Sequence, residues 1–275
     1  MTVGAGTRMV RMDYACFCRQ DSVLVAPGAG LTQVKPRRAV APRIGRMVKS
    51  EAIAIPGYLA KTYWWAYVHP RAVRLFERQW LVNLILWGNF GRLRDAALRA
   101  LGARLEGRTL QIACVYGDLT NRLRSRLAVG ASLDVVDVLK VQLDNLGRKV
   151  RGDPRIGLIQ GDSAALDIAS ASYDRALLFF LLHEQPEEVR RATLAEALRV
   201  VKPGGRLVIV DYHRPHVLNP LYWPMVGVLR MLEPFAMDLW RSEIAAWFAP
   251  RAPVAELRKE ILFGGLYQLV TLTKK

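Results

Sequence analysis

Polar side chains able to hold a nucleoside follow three apolar segments in the second half of the chain. A loop at 113–118 leads into a helical pattern, so its backbone N–H groups could hold the amino-acid part of a cofactor. Asp137 ends the next apolar segment, about twenty residues after the loop, where an acid can accept hydrogen bonds from both ribose hydroxyls. Asp162 and Ser163 follow the third segment and could bind an adenine amine. The spacing therefore favours a nucleoside-containing ligand.

A fourth segment ends at His183, which could move a proton near neutral pH. Each candidate also has a structural interpretation. Asp137 could cap the next helix, Asp162 could cap a turn, and His183 could be a hydrogen-bonded histidine at a strand end. Asp118 could be a first-turn acid favoured by the helix dipole. The pattern Asp211-x-His213-x-x-His216 has ligand-like composition but lacks a third firm metal ligand.

From residue 108 onward, predicted strands alternate with predicted helices, which is typical of a doubly wound parallel sheet. A Lys202–Gly205 turn is expected to stop a helix over 187–200, and two closing strands flank Gly264-Gly265 as an antiparallel hairpin. Ligands bind at the carboxyl ends of strands in such sheets, which is where the polar candidates lie. The five strands before the hairpin are predicted at 109–114, 132–136, 156–160, 176–180 and 206–210.

The first hundred residues divide into two segments. Residues 1–50 have no apolar period and are predicted to be a mobile basic tail, although an Arg-rich, acid-poor start also resembles an organellar transit peptide. Residues 51–107 are predicted to be an aromatic and helical cap, with helices from 69–70 to 87 and over 92–105. The aromatic group 58–67 is either core packing or a lid over a flat apolar ring. Residues 108–275 then form the main domain, with a helical insertion at about 215–250.

The composition bounds the partners and the compartment. A net charge of +16 and a pI of 10.3 favour a polyanionic partner, either nucleic acid or an anionic membrane surface. No nucleic-acid module is recognisable, and the basic residues accompany aromatic and apolar helices, so we expect membrane contact and no nucleic acid. No apolar stretch reaches the length of about 18 residues needed for a span. Three cysteines without framework spacing, including the Cys16-x-Cys18 pair, fit a reducing compartment.

The frame 110–210 resembles the quinone-pathway C-methyltransferases, through Gly117-Asp-Leu-Thr120, Asp137, Gly161-Asp162 and Val201-Lys-Pro-Gly-Gly-Arg206. The resemblance implies a class I methyltransferase-like (Rossmann-like) fold, parallel except for one antiparallel strand of the C-terminal hairpin. It also implies S-adenosylmethionine as co-substrate. The first loop departs from the ordinary pattern of that class, because Gln111 replaces an acid, Val115 a glycine and Tyr116 a small residue.

Residues 56–275 resemble more specifically the RquA family of rhodoquinone biosynthesis proteins. Four strings carry this resemblance: 58–70, 77–88, Cys114-Val-Tyr-Gly-Asp-Leu-Thr120 and Phe179-Phe-Leu-Leu-His-Glu184. It implies that ubiquinone is converted to rhodoquinone by exchange of a ring methoxy group for an amine. S-adenosylmethionine would be the amino donor, with Mn²⁺ support. It further implies a peripheral enzyme on the cytoplasmic face of the quinone-containing membrane, or on the matrix face in a mitochondrion.

The resemblance also assigns roles to residues. Val115 and Tyr116 would push the methionyl arm out of its usual seat, so that the amine rather than the methyl group faces the quinone. Tyr58, Asp118 and His183 would be catalytic, with Asp118 and His183 as candidate bases and metal ligands. The expected cofactor contacts are Ala113, Val115, Tyr116, Gly117, Asp118, Asp137, Asp162 and Ser163.

Three rival functions follow from the same residues. A conventional quinone or phenol methyltransferase would transfer a methyl group. A non-catalytic quinone-binding subunit would have lost cofactor binding through the altered loop. A nucleic-acid methyltransferase is suggested only by the positive charge.

Overall fold

The computed structural model describes residues 55–63 and 78–275. Several predictions fall outside these residues: the basic tail over 1–50, the Cys16-x-Cys18 pair, the aromatic residues at 64–67 and most of the helix expected over 69–87. The described residues therefore include part of the cap and all of the sheet domain.

A seven-stranded sheet forms the centre of the fold, with strand order β3-β2-β1-β4-β5-β7-β6. Neighbouring strands from β3 to β5 pair in parallel, while β7 pairs antiparallel with both β5 and β6. The order reverses between β1 and β4, so the carboxyl ends of these strands open the crevice where ligands bind in doubly wound sheets. The strands are β1 (Arg108–Ile112), β2 (Ser132–Asp137), β3 (Ile156–Gln160), β4 (Tyr173–Phe179), β5 (Val201–Tyr212), β6 (Val254–Leu262) and β7 (Tyr267–Lys274).

Helices cover the sheet because its central strands are apolar on both faces. Most side chains of β1, β4 and β5 are fully buried, as continuous apolar runs in a parallel sheet require. Helix α3 packs its buried face, which includes Leu93, Ala97 and Leu101, against this sheet. The α-helices are α1 (Gly57–Thr62), α2 (Gln79–Ile85), α3 (Phe90–Leu101), α4 (Leu119–Ser125), α5 (Lys140–Val150), α6 (Glu187–Val200), α7 (Tyr222–Leu232) and α8 (Asp238–Arg241).

The predicted fold class is confirmed, including the single antiparallel strand, but element ends differ. The 202–205 segment is not a turn before the fifth strand, since β5 already begins at Val201. Its pairing with β4 shifts register between Tyr173↔Val201 and Arg175↔Arg206, which makes the segment a bulge. The helix predicted over 92–105 covers Phe90–Leu101, where Gly102 with φ 122° ends it.

The region 215–250 contains α7, α8 and a short 3₁₀ turn, Ile244–Trp247. Within the described ranges, no helix combines the length and the apolar character that crossing a bilayer requires.

Candidate functional site

The loop after β1 is held by a buried glutamine. Gln111 Nε2 donates to the Ala113 carbonyl over 2.9 Å, and Thr120 Oγ1 donates to Gln111 Oε1 over 2.9 Å. Both side chains are buried, so Gln111 ties the start of the loop to helix α4. A carboxylate, which is usual at this position in the class, could not donate to the Ala113 carbonyl. The exchange of acid for amide therefore changes how the loop is anchored.

Two residues with strained backbones line the mouth of the sheet. Ala113 has φ 72° and Phe180 has φ 55°, conformations that glycine adopts freely and other residues adopt at a cost. They follow β1 and β4, the two strands on either side of the order reversal, and both line one pocket. Strain of this kind clusters at functional sites, so it marks this pocket as the candidate site.

The pocket is acidic although the chain is strongly basic. Three of its lining residues are carboxylic acids, Asp137, Asp162 and Glu184, and none of the described residues around it is a lysine or an arginine. A cationic ligand would meet complementary charge here, whereas an anionic one would be repelled. The full lining is Tyr58, Leu59, Ala113, Cys114, Tyr116, Val136, Asp137, Val138, Leu139, Gln142, Gly161, Asp162, Ser163, Phe180, Leu181 and Glu184.

Asp137 is held by the backbone on both sides. Its Oδ2 accepts from the Cys114 N–H over 2.7 Å, and its Oδ1 accepts from the Leu139 N–H over 2.8 Å. Burial raises the pKa of Asp137 to about 6, while these two hydrogen bonds oppose the shift. The carboxylate thus also caps the turn before α5, so the two roles weighed for it from the sequence are compatible. Each oxygen keeps a second lone pair for a ligand hydroxyl.

Tyr116 lies across the pocket and is anchored on its far side. Gln142 Nε2, on α5, donates to the Tyr116 hydroxyl over 2.8 Å. Gly117 has φ 83°, and a Cβ there would lie 2.9 Å from Cζ of Phe90, the first residue of α3. The loop is therefore covered by Phe90 at Gly117 and by the Tyr116 ring on the pocket side. Val115 packs against the core and does not line the pocket.

Asp162, Ser163 and Tyr58 come together in the pocket wall. Asp162 Oδ1 accepts from the Ala164 N–H over 2.8 Å, so this acid also caps its own turn. Ser163 Oγ accepts from Gln185 Nε2 over 3.0 Å, which joins β3 to the segment after β4. Burial, followed by the negative charges of Glu184 and Asp162, raises the pKa of Tyr58, which keeps its hydroxyl protonated.

His183 lies behind the pocket wall in a buried ion pair. Its Nδ1 is 3.0 Å from Asp211 Oδ1, and its Nε2 is 3.8 Å from Oε1 of Glu184, which does line the pocket. Burial alone would lower the pKa of His183, but the charge and hydrogen bond of Asp211 outweigh it and raise the pKa to about 9. The imidazole is therefore protonated at neutral pH. It can donate a hydrogen bond or a proton but has to lose one before it can accept one.

Asp118 is placed outside the pocket and is neutralised. Arg94 Nη1 lies 2.8 Å from Asp118 Oδ1, and Arg122 Nε donates to Oδ2 over 3.0 Å. These two hydrogen bonds outweigh partial burial and lower the pKa of Asp118. A carboxylate bound by two guanidinium groups is a poor base and a poor metal ligand, so neither predicted role of Asp118 gains support.

The predicted metal candidates do not form a site. Asp118 is bound by arginines and His183 uses Nδ1 on Asp211. Across residues 55–63 and 78–275, no group of three or more His, Cys, Asp or Glu residues could hold a metal ion. Asp211 and His183 form a pair, while His213 Nδ1 instead lies 2.9 Å from the Gly265 carbonyl, so the Asp211-x-His213-x-x-His216 pattern is not a metal centre. The possible ligands among the described residues therefore do not fit Mn²⁺.

Residues 109–205 match the family of methyltransferase domains. The chain has a class I methyltransferase-like fold. Two solved structures share this fold, the N-methyltransferase NodS of Bradyrhizobium japonicum and phosphoethanolamine N-methyltransferase 2 of Haemonchus contortus. The first has a TM-score of 0.50 at 14% identity and covers 68% of this chain and 98% of its own. The second has a TM-score of 0.53 at 14% identity and covers 79% and 59%.

Sequence relatives of the methyltransferase domain include quinone-pathway enzymes. It is 35% identical over 133 residues to the demethylmenaquinone methyltransferase of Renibacterium salmoninarum, covering 48% of this chain and 53% of that protein. It is 32% identical over 155 residues to the ubiquinone/menaquinone biosynthesis C-methyltransferase of Syntrophotalea carbinolica, covering 54% and 61%. An uncharacterized methyltransferase of Synechocystis is 26% identical over 208 residues, covering 75% and 92%. The chain thus spans little more than half the length of the two quinone-pathway relatives.

Three residues at or near the pocket were not singled out from the sequence, and a fourth, Asp211, was considered only as a possible metal ligand. Gln142 and Glu184 line the pocket, Phe90 covers the loop, and Asp211 holds His183. Glu184 had a signal, since it directly follows His183 at the mouth of β4. Phe90 and Gln142 had none, because each reaches the loop from a helix whose orientation depends on tertiary packing.

Proposed function

We propose that this protein is a quinone-modifying enzyme that uses S-adenosylmethionine as amino donor and replaces a ring methoxy group of ubiquinone with an amine. The observation that carries the proposal is the Tyr116 ring, which lies in the pocket and is held there by Gln142. Ordinary members of the class have a small residue at this position. They keep the amino group of the cofactor against the first loop, so that the methyl group faces the acceptor.

The charge of the pocket supports S-adenosylmethionine as the ligand. S-adenosylmethionine is a net cation, because its sulfonium and ammonium charges outweigh its carboxylate, and three carboxylic acids line the pocket. Asp137 would accept hydrogen bonds from the ribose hydroxyls, and Asp162 with Ser163 would hold the adenine end. The family match adds weight, because the domain is that of methyltransferases.

Loop crowding separates amino transfer from methyl transfer. Tyr116 on one side and Phe90 at Gly117 on the other leave little room for the methionyl arm against the loop. The amine would then turn toward the acceptor, where it has to be deprotonated to act as a nucleophile. Addition of the nitrogen to the ring carbon would expel the methoxy group as methanol. The quinone would then take two electrons as a base removes the proton on the donor's Cα, and hydrolysis of the resulting imine would release the aminated ring as a quinol and the donor as its α-keto acid. Glu184 is the acid that both lines the pocket and approaches His183, so it is the group we place nearest to the proton of the amine. Tyr58 faces the same acids and would donate a hydrogen bond to a quinone oxygen.

An apolar acceptor explains the insertion. Phe235, just after α7, packs edge-on against Tyr58 with ring centroids 6.4 Å apart, so the insertion forms part of the approach to the pocket. Helix α7 exposes Trp223 and Met231 on its outer face. We therefore place the enzyme at the surface of the quinone-containing membrane, on the cytoplasmic or matrix side, where a lipid-soluble ring could enter beside α7.

One incubation tests the reaction. Purified protein receives ubiquinone and S-adenosylmethionine labelled with ¹⁵N in the amino group and ¹³C in the methyl group, with and without Mn²⁺. Mass spectrometry of the quinone should show gain of ¹⁵N, loss of one methoxy group and no ¹³C. The arm without Mn²⁺ tests the metal requirement that the RquA resemblance implies.

A conventional quinone C-methyltransferase is the second candidate, favoured by the demethylmenaquinone and ubiquinone relatives. It predicts ¹³C in the product and no ¹⁵N, which would refute amino transfer. A non-catalytic quinone-binding subunit predicts neither label and no heat of S-adenosylmethionine binding by calorimetry.

A further inference from the structure

Two helices that are joined by a side-chain contact expose large apolar side chains. Trp80 and Leu84 on α2 are 59% and 65% exposed, and Trp223 and Met231 on α7 are 73% and 75% exposed. Trp87 Nε1, just after α2, lies 2.9 Å from Met225 Sδ on α7, so the two helices are held near each other. Apolar surface of this extent on a soluble domain is typical of an interaction site.

A basic groove borders this apolar face. It lies between α2 and α3, and its lining includes Trp80, Asn83, Arg92, Arg94 and Arg122. We call it the arginine groove. Because Trp80 lines the groove and is also exposed, the groove and the apolar face share a side chain.

Not all of the arginine charge is neutralised. Arg94 is bound to Asp95 and Asp118 and acts as a structural tie. Arg92 is exposed and has no acidic partner among residues 55–63 and 78–275. Arg122 gives Asp118 only its Nε, so its two terminal nitrogens make no hydrogen bond with a described residue. The first turn of α3 contains no acid, so the N–H groups and dipole of this 12-residue helix add to the positive field.

We propose that the arginine groove binds the phosphate of an anionic phospholipid while the exposed faces of α2 and α7 enter the bilayer interface. Phosphate matches the guanidinium groups in charge and in hydrogen-bonding geometry, and the acyl chains match the adjoining apolar side chains. A soluble phosphate ligand would not account for the exposure of Trp223 and Met231. This inference rests on the membrane location given in the proposed function, but not on whether nitrogen or methyl is transferred.

Vesicle co-sedimentation of the full chain tests the proposal. Phosphatidylcholine vesicles with and without about 30% phosphatidylglycerol are compared for wild type and for the double variant Arg92→Glu/Arg122→Glu. Each basic side chain near an anionic surface contributes roughly fivefold to partitioning, so loss of the two positive charges alone should weaken binding of the double variant to the anionic vesicles by at least about thirtyfold. The matched control, Arg148→Glu/Arg258→Glu, changes the net charge equally on exposed positions outside the groove and should lose much less.

Three results would overturn the proposal. The first is equal loss in both double variants, which would mean a general charge effect. The second is absence of wild-type binding to anionic vesicles, as expected if another segment of the chain covers the apolar face. The third is undiminished binding of the Trp80→Glu/Leu84→Glu variant to anionic vesicles, which would show that the apolar face does not contribute to binding. Circular dichroism of each variant checks that it is folded. Competition by glycerol phosphate or by RNA at equal ionic strength would also contradict the proposal, because it would identify a soluble anion or a nucleic acid as the ligand.

Discussion

Gln111→Glu restores the acid usual in the class and should destabilise this protein in a pH-dependent way. The amide of Gln111 donates to the Ala113 carbonyl and accepts from Thr120, and all of this is buried. An ionised carboxylate keeps the bond from Thr120 but leaves the Ala113 carbonyl unsatisfied, which costs about 1–3 kcal/mol. Burial of the new charge adds to this. If it raises the folded-state pKa by about two units, the added cost is about 3 kcal/mol. The expected loss at pH 7.5 is therefore about 4–6 kcal/mol.

The sign of the pH dependence follows from linkage. Because the folded-state pKa of the introduced carboxyl is raised above its unfolded value of about 4.3, the variant is most stable, relative to wild type, below that value. A protonated carboxyl can donate to the Ala113 carbonyl as the amide does, so the loss near pH 4 should fall to about 1 kcal/mol. This relative stability of the Gln111→Glu variant is lost as the pH rises through the folded-state pKa of the introduced carboxyl.

Urea unfolding at pH 4.5 and pH 7.5 measures this difference (two conditions on either side of the expected titration). Thr120→Val is the matched control, since it removes one neutral hydrogen bond from Gln111 and should cost about 1 kcal/mol at both pH values. An equal loss for Gln111→Glu at both pH values would show that the amide is not what anchors the loop.

Four further changes test separate parts of the site. Because the pKa of Asp137 is about 6, calorimetric affinity for S-adenosylmethionine should rise about tenfold between pH 5 and pH 7 and stay flat in Asp137→Asn. Gln142→Leu should free the Tyr116 ring and shift labelled product from nitrogen toward methyl, with an unchanged ratio counting against the anchoring role. Arg190→Met removes donors to three carbonyls and should cost about 4 kcal/mol in urea, with Arg190→Lys intermediate and a loss under about 1 kcal/mol contradicting the argument. Asp118→Asn should leave turnover within about threefold of wild type, because this acid is bound by two arginines, and a hundredfold loss would restore it as a catalytic residue.

His183 gives the wild type its own pH signature. Its folded-state pKa of about 9 lies above the ordinary histidine value of 6.5, so the buried pair with Asp211 stabilises the fold fully below pH 6.5. That contribution is lost as the pH rises through 9. His183→Gln should therefore flatten the alkaline fall in stability measured by thermal unfolding, whereas an unchanged alkaline limb would mean that the imidazole is neutral in the folded protein.

The sheet could be predicted from the sequence because its signals are local. Apolar runs such as 176–180 lie between turn residues, and each acid at a strand end marks where the strand leaves the core. Of the five strands predicted before the hairpin, β3 matches at both ends and the other bounds moved by at most five residues. The largest change is at β5, because the pairing of Lys202–Gly205 with β4 depends on a register shift. Asp137 and Asp162 reached the predicted pocket for the same reason, since the carboxyl ends of parallel strands meet at one edge.

The roles of Asp118 and His183 could not be read from their positions along the chain. Asp118 follows the loop as closely as a catalytic acid would, but Arg94 arrives from α3, 24 residues earlier, and takes both of its oxygens. His183 stands at a strand end, yet Asp211, 28 residues later, turns it into a buried cation. Both outcomes depend on which side chains of other elements come within hydrogen-bonding distance. Residue spacing along the chain does not give those contacts.

The pocket and the surface of the protein carry opposite charge and therefore favour different ligands. A chain of net charge +16 would draw any anion toward it, yet the described lining of its pocket carries three acids and no basic side chain. The pocket lining therefore favours a cationic small ligand. The positive surface charge is available for a separate anionic partner, and the membrane docking proposed above would supply both that anionic surface and an apolar acceptor.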